Sequence, residues 1–142
     1  MKIAELEFPD DLYYDTNHQW IAVQDDQIAF GLTDYAQSTA GDVVFLELPP
    51  EGAQVQVGQP IGSIESGKWV GRLYAPVDGT VVAVNVALRN NTRLINRDPY
   101  GQGWIARLKP SSPEKLDGLM QGERFATFIR EEIARDQALE GS

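Results

Sequence analysis

Ile61-Gly62-Ser63-Ile64-Glu65 and Trp69-Val70-Gly71-Arg72-Leu73-Tyr74, separated only by Ser66-Gly67-Lys68, decide how this chain folds. The two runs are apolar and β-favouring, and a glycine lies between them, so the stretch reads as a tight β-hairpin. Lys68 stands at its tip, where a side chain projects into solvent. Gly67 beside it supplies the positive φ that a type II′ turn requires at its first central position. An exposed amine held in a fixed direction, with Glu65 three positions earlier, is a target for enzymatic acylation. On spacing alone an ordinary solvated lysine looks the same, because most surface lysines do nothing special.

The same stretch imitates a phosphate-binding loop. Gly62 to Lys68 fits the first seven positions of that motif, but Trp69 fills the eighth, where Ser or Thr should hold magnesium. The run from Trp69 to Gly79 is strand-like where a helix should follow, and Glu65 would set negative charge beside the phosphates. Nucleotide hydrolysis is set aside on these grounds.

Outward from the hairpin, short strands alternate with Gly, Pro, Asn and Asp. Trp20–Val23 and Ile28–Leu32 flank Gln24-Asp25-Asp26-Gln27, a hairpin with a four-residue polar loop, and Ile28, Phe30 and Leu32 alternate onto one face. Further strands are expected at Asp42–Leu48, Val55–Val57, Thr80–Val86 and Trp104–Leu108. Thr33 caps a short helix over Asp34–Ala40, with Asp34 at the positive end of its dipole and Gly41 as its stop. Arg89–Gly103 reads as a loop. Beyond Ser112-Pro113-Glu114, a capped start, the period changes, and a helical segment is expected over about 113–138, broken at Gly122. There Phe125, Phe128, Ile129 and Ile133 fall on one helical face, a packing stripe rather than a cofactor box. The fold class is mainly β, a sandwich or barrel, in a single domain over 1–142.

Composition narrows function. With 142 residues, 42% hydrophobic and 23% charged, the chain is an ordinary globular domain rather than a disordered one. Acidic residues outnumber basic ones by 21 to 12, which argues against nucleic acid as a partner and fits docking on positively charged protein surfaces. No cysteine is present, so no thiolate nucleophile, disulfide or Cys-ligated metal is available, and the single histidine, His18, excludes sites needing two. Asp10-Asp11, Asp25-Asp26 and Glu131-Glu132 read as turns or exposed faces, and no metal site is expected. No run reaches the ~20 apolar residues of a membrane span. Met1–Glu7 lacks a signal-peptide core, and a cytoplasmic monomer is expected.

Several segments together resemble the glycine cleavage H-protein family of lipoyl carriers. His18-Gln19-Trp20 is similar to the family's His-Glu-Trp, and Gly31 to Gln37 to its Gly-Ile-Thr-Asp-Tyr-Ala-Gln. Gly41 to Pro49, Tyr74 to Gly79 and Asn96 to Trp104 continue the likeness, which runs from about Tyr13 to Phe128. The resemblance implies a lipoyl-type barrel-sandwich hybrid with a C-terminal helical segment. It implies lipoate joined by an amide to Lys68, within Glu65-Ser66-Gly67-Lys68-Trp69 where the family has Glu-Ser-Val-Lys-Ala. Such a tethered arm swings between partner active sites at high local concentration, and the carrier turns nothing over alone.

The departures concern cargo. In the family an aminomethyl-loaded arm is sheltered by the Glu of His-Glu-Trp and by an Asp four residues after the lysine; here those positions hold Gln19 and Arg72, and a nearby Ser is Asn17. A guanidinium beside the arm disfavours a cation and favours a thiolate or anion. The expectation is a carrier of sulfur intermediates, like the H-like lipoate-binding proteins of the sulfur-oxidising heterodisulfide-reductase-like system. Its partners would be that complex, a lipoate-attaching enzyme and dihydrolipoamide dehydrogenase. The alternatives are a glycine cleavage H protein working with the glycine cleavage enzymes, or an unmodified scaffold protein. Trp69 fits either a distinct attaching enzyme or a cap on the hairpin's apolar face.

Overall fold

The computed structural model describes residues 1–112, 116 and 118–140. The chain opens with a ribbon of β1 (Lys2–Ile3) and β2 (Leu6–Glu7), followed by β3 (Tyr13–Tyr14), β4 (Gln19–Gln24) and β5 (Gln27–Leu32). Then come α1 (Asp34–Ala40), β6 (Val43–Glu47), β7 (Gln54–Val55), β8 (Pro60–Ser66), β9 (Val70–Tyr74) and β10 (Gly79–Val84). A 3-10 turn (Val86–Arg89), α2 (Leu94–Arg97), β11 (Ala106–Pro110) and α3 (Gly122–Glu140) complete it. Six strands form one antiparallel sheet in the order β3-β4-β5-β11-β10-β7, and three form another, β6-β8-β9.

Alternation along β5 explains the layering. Ile28 and Phe30 point into the sandwich, where they meet Ile64 and Leu73 of the smaller sheet, with Val81 and Leu108 beside them. Ala29 faces the opposite way, into a second apolar cluster with Phe8, Tyr14 and Trp20. The α3 stripe closes that cluster through Phe125, Ala126 and Ile129, and the Phe125 ring stacks on Tyr14 with centroids 4.0 Å apart. Each such buried side chain contributes roughly 1.5–3 kcal/mol, so α3 is held by packing rather than by helix propensity.

The α1 expectation holds in detail: the Thr33 hydroxyl accepts the Ala36 N–H at 3.2 Å, and Gly41 ends the helix at φ +80°. Three expectations differ. The β4–β5 connection is Asp25-Asp26 alone, because Gln24 and Gln27 pair across the ladder and Asp25 takes φ +57°. Arg89–Gly103 is not all loop, since Ile95 is fully buried and fixes α2 there against a weak local propensity. Gly122 opens α3 at φ +60° instead of breaking a longer helix. The helix start expected at Ser112-Pro113-Glu114 lies largely outside the described residues. At Met120 the chain is extended, exchanging backbone hydrogen bonds with Tyr14 at 2.9 and 2.7 Å.

Candidate functional site: the lysine hairpin and its cleft

The site grows from the β8–β9 hairpin, whose register pairs Glu65 with Val70 and Ser63 with Arg72. The tip closes when the Ser66 N–H donates to the Trp69 carbonyl at 2.8 Å. Gly67 is not among the residues at positive φ, so the expected type II′ geometry is absent. Ser66 replaces it: its hydroxyl donates to the Ala40 carbonyl at 2.5 Å and accepts the Lys68 N–H at 3.3 Å. A serine side chain bonding nearby backbone makes a turn without left-handed residues. It also ties the tip to the end of α1.

Lys68 lies over that end. A Cβ placed on Gly41 would sit 3.0 Å from Lys68 Cε, so the glycine both ends α1 and clears the lysine stem. The α1–β6 corner is clamped by Asn96 of α2, whose side chain accepts the Val43 N–H at 2.9 Å and donates to the Gly41 carbonyl at 2.8 Å. Sequence reasoning gave Asn96 no separate role; a polar residue in a short Asn- and Arg-rich run carries no local sign of two long-range backbone bonds.

Beside the hairpin lies a cleft of about 410 Å³. Trp69, just before β9, and Arg72 of β9 wall it on the hairpin side, Asn17 and His18 from the turn before β4, and Glu132 and Asp136 from α3. A hollow of about 510 Å³ around Asp15, Val77 and Asp78 includes no residue of the hairpin tip. The Trp69 indole lies against Gly71, where a Cβ would come within 2.1 Å of the ring's outer edge. His18 sits at φ +61° with its ring between Tyr35 and Phe128, at centroid distances of 4.8 and 5.7 Å. Burial pushes its pKa down, against the upward pull of Glu132 and Asp136. Its Nε2 is 3.9 Å from Glu132, and its buried Nδ1 has no partner among the described residues. Glu132 also pairs with Arg135 at 3.1 Å, and Asp136 accepts the Tyr35 hydroxyl. Arg72 forms no ion pair with a described residue.

Of the residues singled out from sequence, Asn17, His18, Trp69 and Arg72 share this cleft. Gln19 does not line it. Its amide is fully buried, donating to Asp15 Oδ2 and the Tyr74 carbonyl at 2.9 Å each and accepting the Tyr74 N–H at 3.0 Å. Gln19 therefore clips β4 to the end of β9. The two α3 carboxylates were missed, because on the sequence they belong to an acidic helix face like any other.

A lipoyl group fits these residues: Lys68 offers an amine without a described ionic partner, and an aromatic-walled cleft opens beside its hairpin. Two antiparallel sheets that present a lysine on a hairpin tip beside such a cleft define a class of proteins that carry a prosthetic arm. Residues 12–132 match the family model described as Glycine cleavage H-protein. The chain is 43% identical over 123 residues to the glycine cleavage system H protein of Geobacillus kaustophilus, covering 87% of this chain and 97% of that one. It is 43% identical over 122 residues to the H protein of Legionella pneumophila, covering 86% and 98%. The crystal structure of a glycine cleavage system H protein from Mycobacterium marinum superposes with a TM-score of 0.77 at 33% identity, over 84% of this chain and 97% of that one. The chain belongs to the glycine cleavage H-protein family, whose members carry lipoate covalently attached to a lysine. No helix among the described residues is long and apolar enough to cross a membrane.

Proposed function

We propose that Lys68 is the lipoylated residue of a single carrier domain spanning 1–142, and that its arm carries the aminomethyl group of glycine cleavage. Its partners are then the decarboxylase, the aminomethyltransferase, dihydrolipoamide dehydrogenase and a lipoate-attaching enzyme. Bound lipoate supplies the disulfide–dithiol pair that takes up and releases the one-carbon amine. The protein's own residues hold Lys68 outward, through Ser66, Gly41 and Asn96, and give the cleft its charge.

The observation that carries the cargo assignment is the pair Glu132 and Asp136 on the cleft wall. A protonated amine there meets two carboxylates against the Arg72 guanidinium, with Glu132 partly offset by its Arg135 pair, and a pair at ~4 Å is worth up to ~4 kcal/mol at intermediate dielectric. Gln19 does not alter this balance, because its side chain faces Asp15 and Tyr74 instead. The named relatives, matched over nearly their whole length, support the same reading.

Intact mass of native protein should show a lipoyl increment on the Lys68 peptide, absent in Lys68→Arg. The lipoylated form should load an aminomethyl group from glycine and the decarboxylase, and Glu132→Gln with Asp136→Asn should shorten the lifetime of the loaded form several-fold. Unmodified native Lys68 overturns the carrier assignment.

Arg72 favours a second reading, because it lines the cleft at a position where the family pattern has Asp. A guanidinium there stabilises thiolates and anionic sulfur species. Lipoylated protein that fails to load from glycine but accepts sulfane sulfur would move the assignment to the heterodisulfide-reductase-like system.

A further inference from the structure

Trp69 stands next to the arm's anchor and is 37% exposed, with the outer edge of its indole set against Gly71. Every alternative at position 71 fills the space that the ring occupies, since even a methyl group would come within 2.1 Å of it. The indole of this tip residue thereby lies along the start of β9, where it lines the cleft. The His18 and Tyr35 rings line the same cleft, set against Glu132 and Asp136 of α3, so aromatic faces and negative charge share one hollow.

We propose that Trp69, held by Gly71, is the resting seat of the dithiolane, a positioning residue that parks the lipoyl arm against the hairpin when no partner engages it. This rests on Lys68 being the lipoylated residue. The chemistry is that of an apolar ring with two polarisable sulfurs meeting an aromatic face, a contact favoured over water on both hydrophobic and dispersion grounds. The anchor and the seat are consecutive residues, so docking pays only the entropy of ordering the arm and needs no encounter from solution. Charged cargo at the arm's end would then reach past the indole toward Glu132 and Asp136.

The experiment reads indole fluorescence, which a touching disulfide quenches. Lipoylated protein, checked by mass, is compared with unmodified protein, and the Trp69 contribution is taken by difference from Trp69→Phe, since Trp20 and Trp104 also emit. The expected result is at least a two-fold quenching of the Trp69 emission in the lipoylated, oxidised form. Reduction of the dithiolane with a phosphine should restore it. Gly71→Ala, which leaves Trp69 one bond from the anchor but evicts its ring, should restore most of it as well. Equal Trp69 emission in lipoylated and unmodified protein overturns the seat and leaves the indole a cap on the hairpin. Undiminished quenching in Gly71→Ala also overturns it, because tether proximity then suffices. Absence of the lipoyl mass instead strikes at the assignment of Lys68 beneath it.

Discussion

Among the described carboxylates, Asp15 is the one that burial disfavours most as an anion. It is buried, and burial pushes its pKa up to about 6 despite hydrogen bonds from the backbone N–H groups of Asn17 and Gln19 and from the Gln19 amide. A carboxyl group whose folded pKa is raised contributes stability while protonated in the fold, and that contribution is lost as pH rises through about 6. The loss between pH 4 and 7 is at most about 3 kcal/mol. His18 acts in the opposite sense: its lowered pKa means stability is lost as pH falls below its ordinary value. Urea midpoints measured from pH 4 to 7 should therefore show a slope difference between wild type and Asp15→Asn, with the variant missing the gain at low pH. Parallel slopes would show that the carboxyl is better solvated than its burial implies. Nothing local marks this group, because an Asp in a polar turn looks like any other until Gln19 and Tyr74 pack beside it.

At the scale of elements, the hairpin was legible and its support was not. Strand propensity, the glycine and the lysine are all local to Ile61–Tyr74, so the β8–β9 pair could be read from the chain alone. The turn chemistry lay in Ser66 rather than Gly67, and the clamp lay 30 residues further along in Asn96. Long-range bonds leave no period in a sequence, which is also why α2 was hidden inside an apparent loop. Asn96→Ala removes two backbone partners of the α1–β6 corner and should cost about 1–3 kcal/mol at the usual net value of such bonds. Because that corner carries Gly41 and the Ala40 carbonyl, the variant should also be lipoylated several-fold more slowly than wild type under matched ligase conditions. Unchanged modification kinetics would mean that the attaching enzyme reads the hairpin without its base.

Across the whole molecule, the two apolar clusters divide the labour. The inner one joins the sheets and makes the hairpin's platform, while the outer one fastens α3. Phe125→Ala should leave a cavity between Phe8 and Tyr14, destabilising the protein by about 3–5 kcal/mol. Thermal unfolding should fall by on the order of 10 °C. The stripe that predicts this was visible as a helical period; what it could not reveal was the consequence of its docking, that the neighbouring Glu132 and Asp136 turn toward His18 and Tyr35. Fold class thus followed from patterns within single elements, whereas cleft chemistry depended on which faces tertiary packing brought together.

The helix that completes the cleft begins 12 residues after the last strand ends at Pro110. During synthesis, every strand and the lysine-bearing turn are therefore translated before the acidic wall. A nascent chain can present its acylation target while the berth for cargo does not yet exist, so attachment of the arm and sheltering of what it bears are separable in time as well as in space.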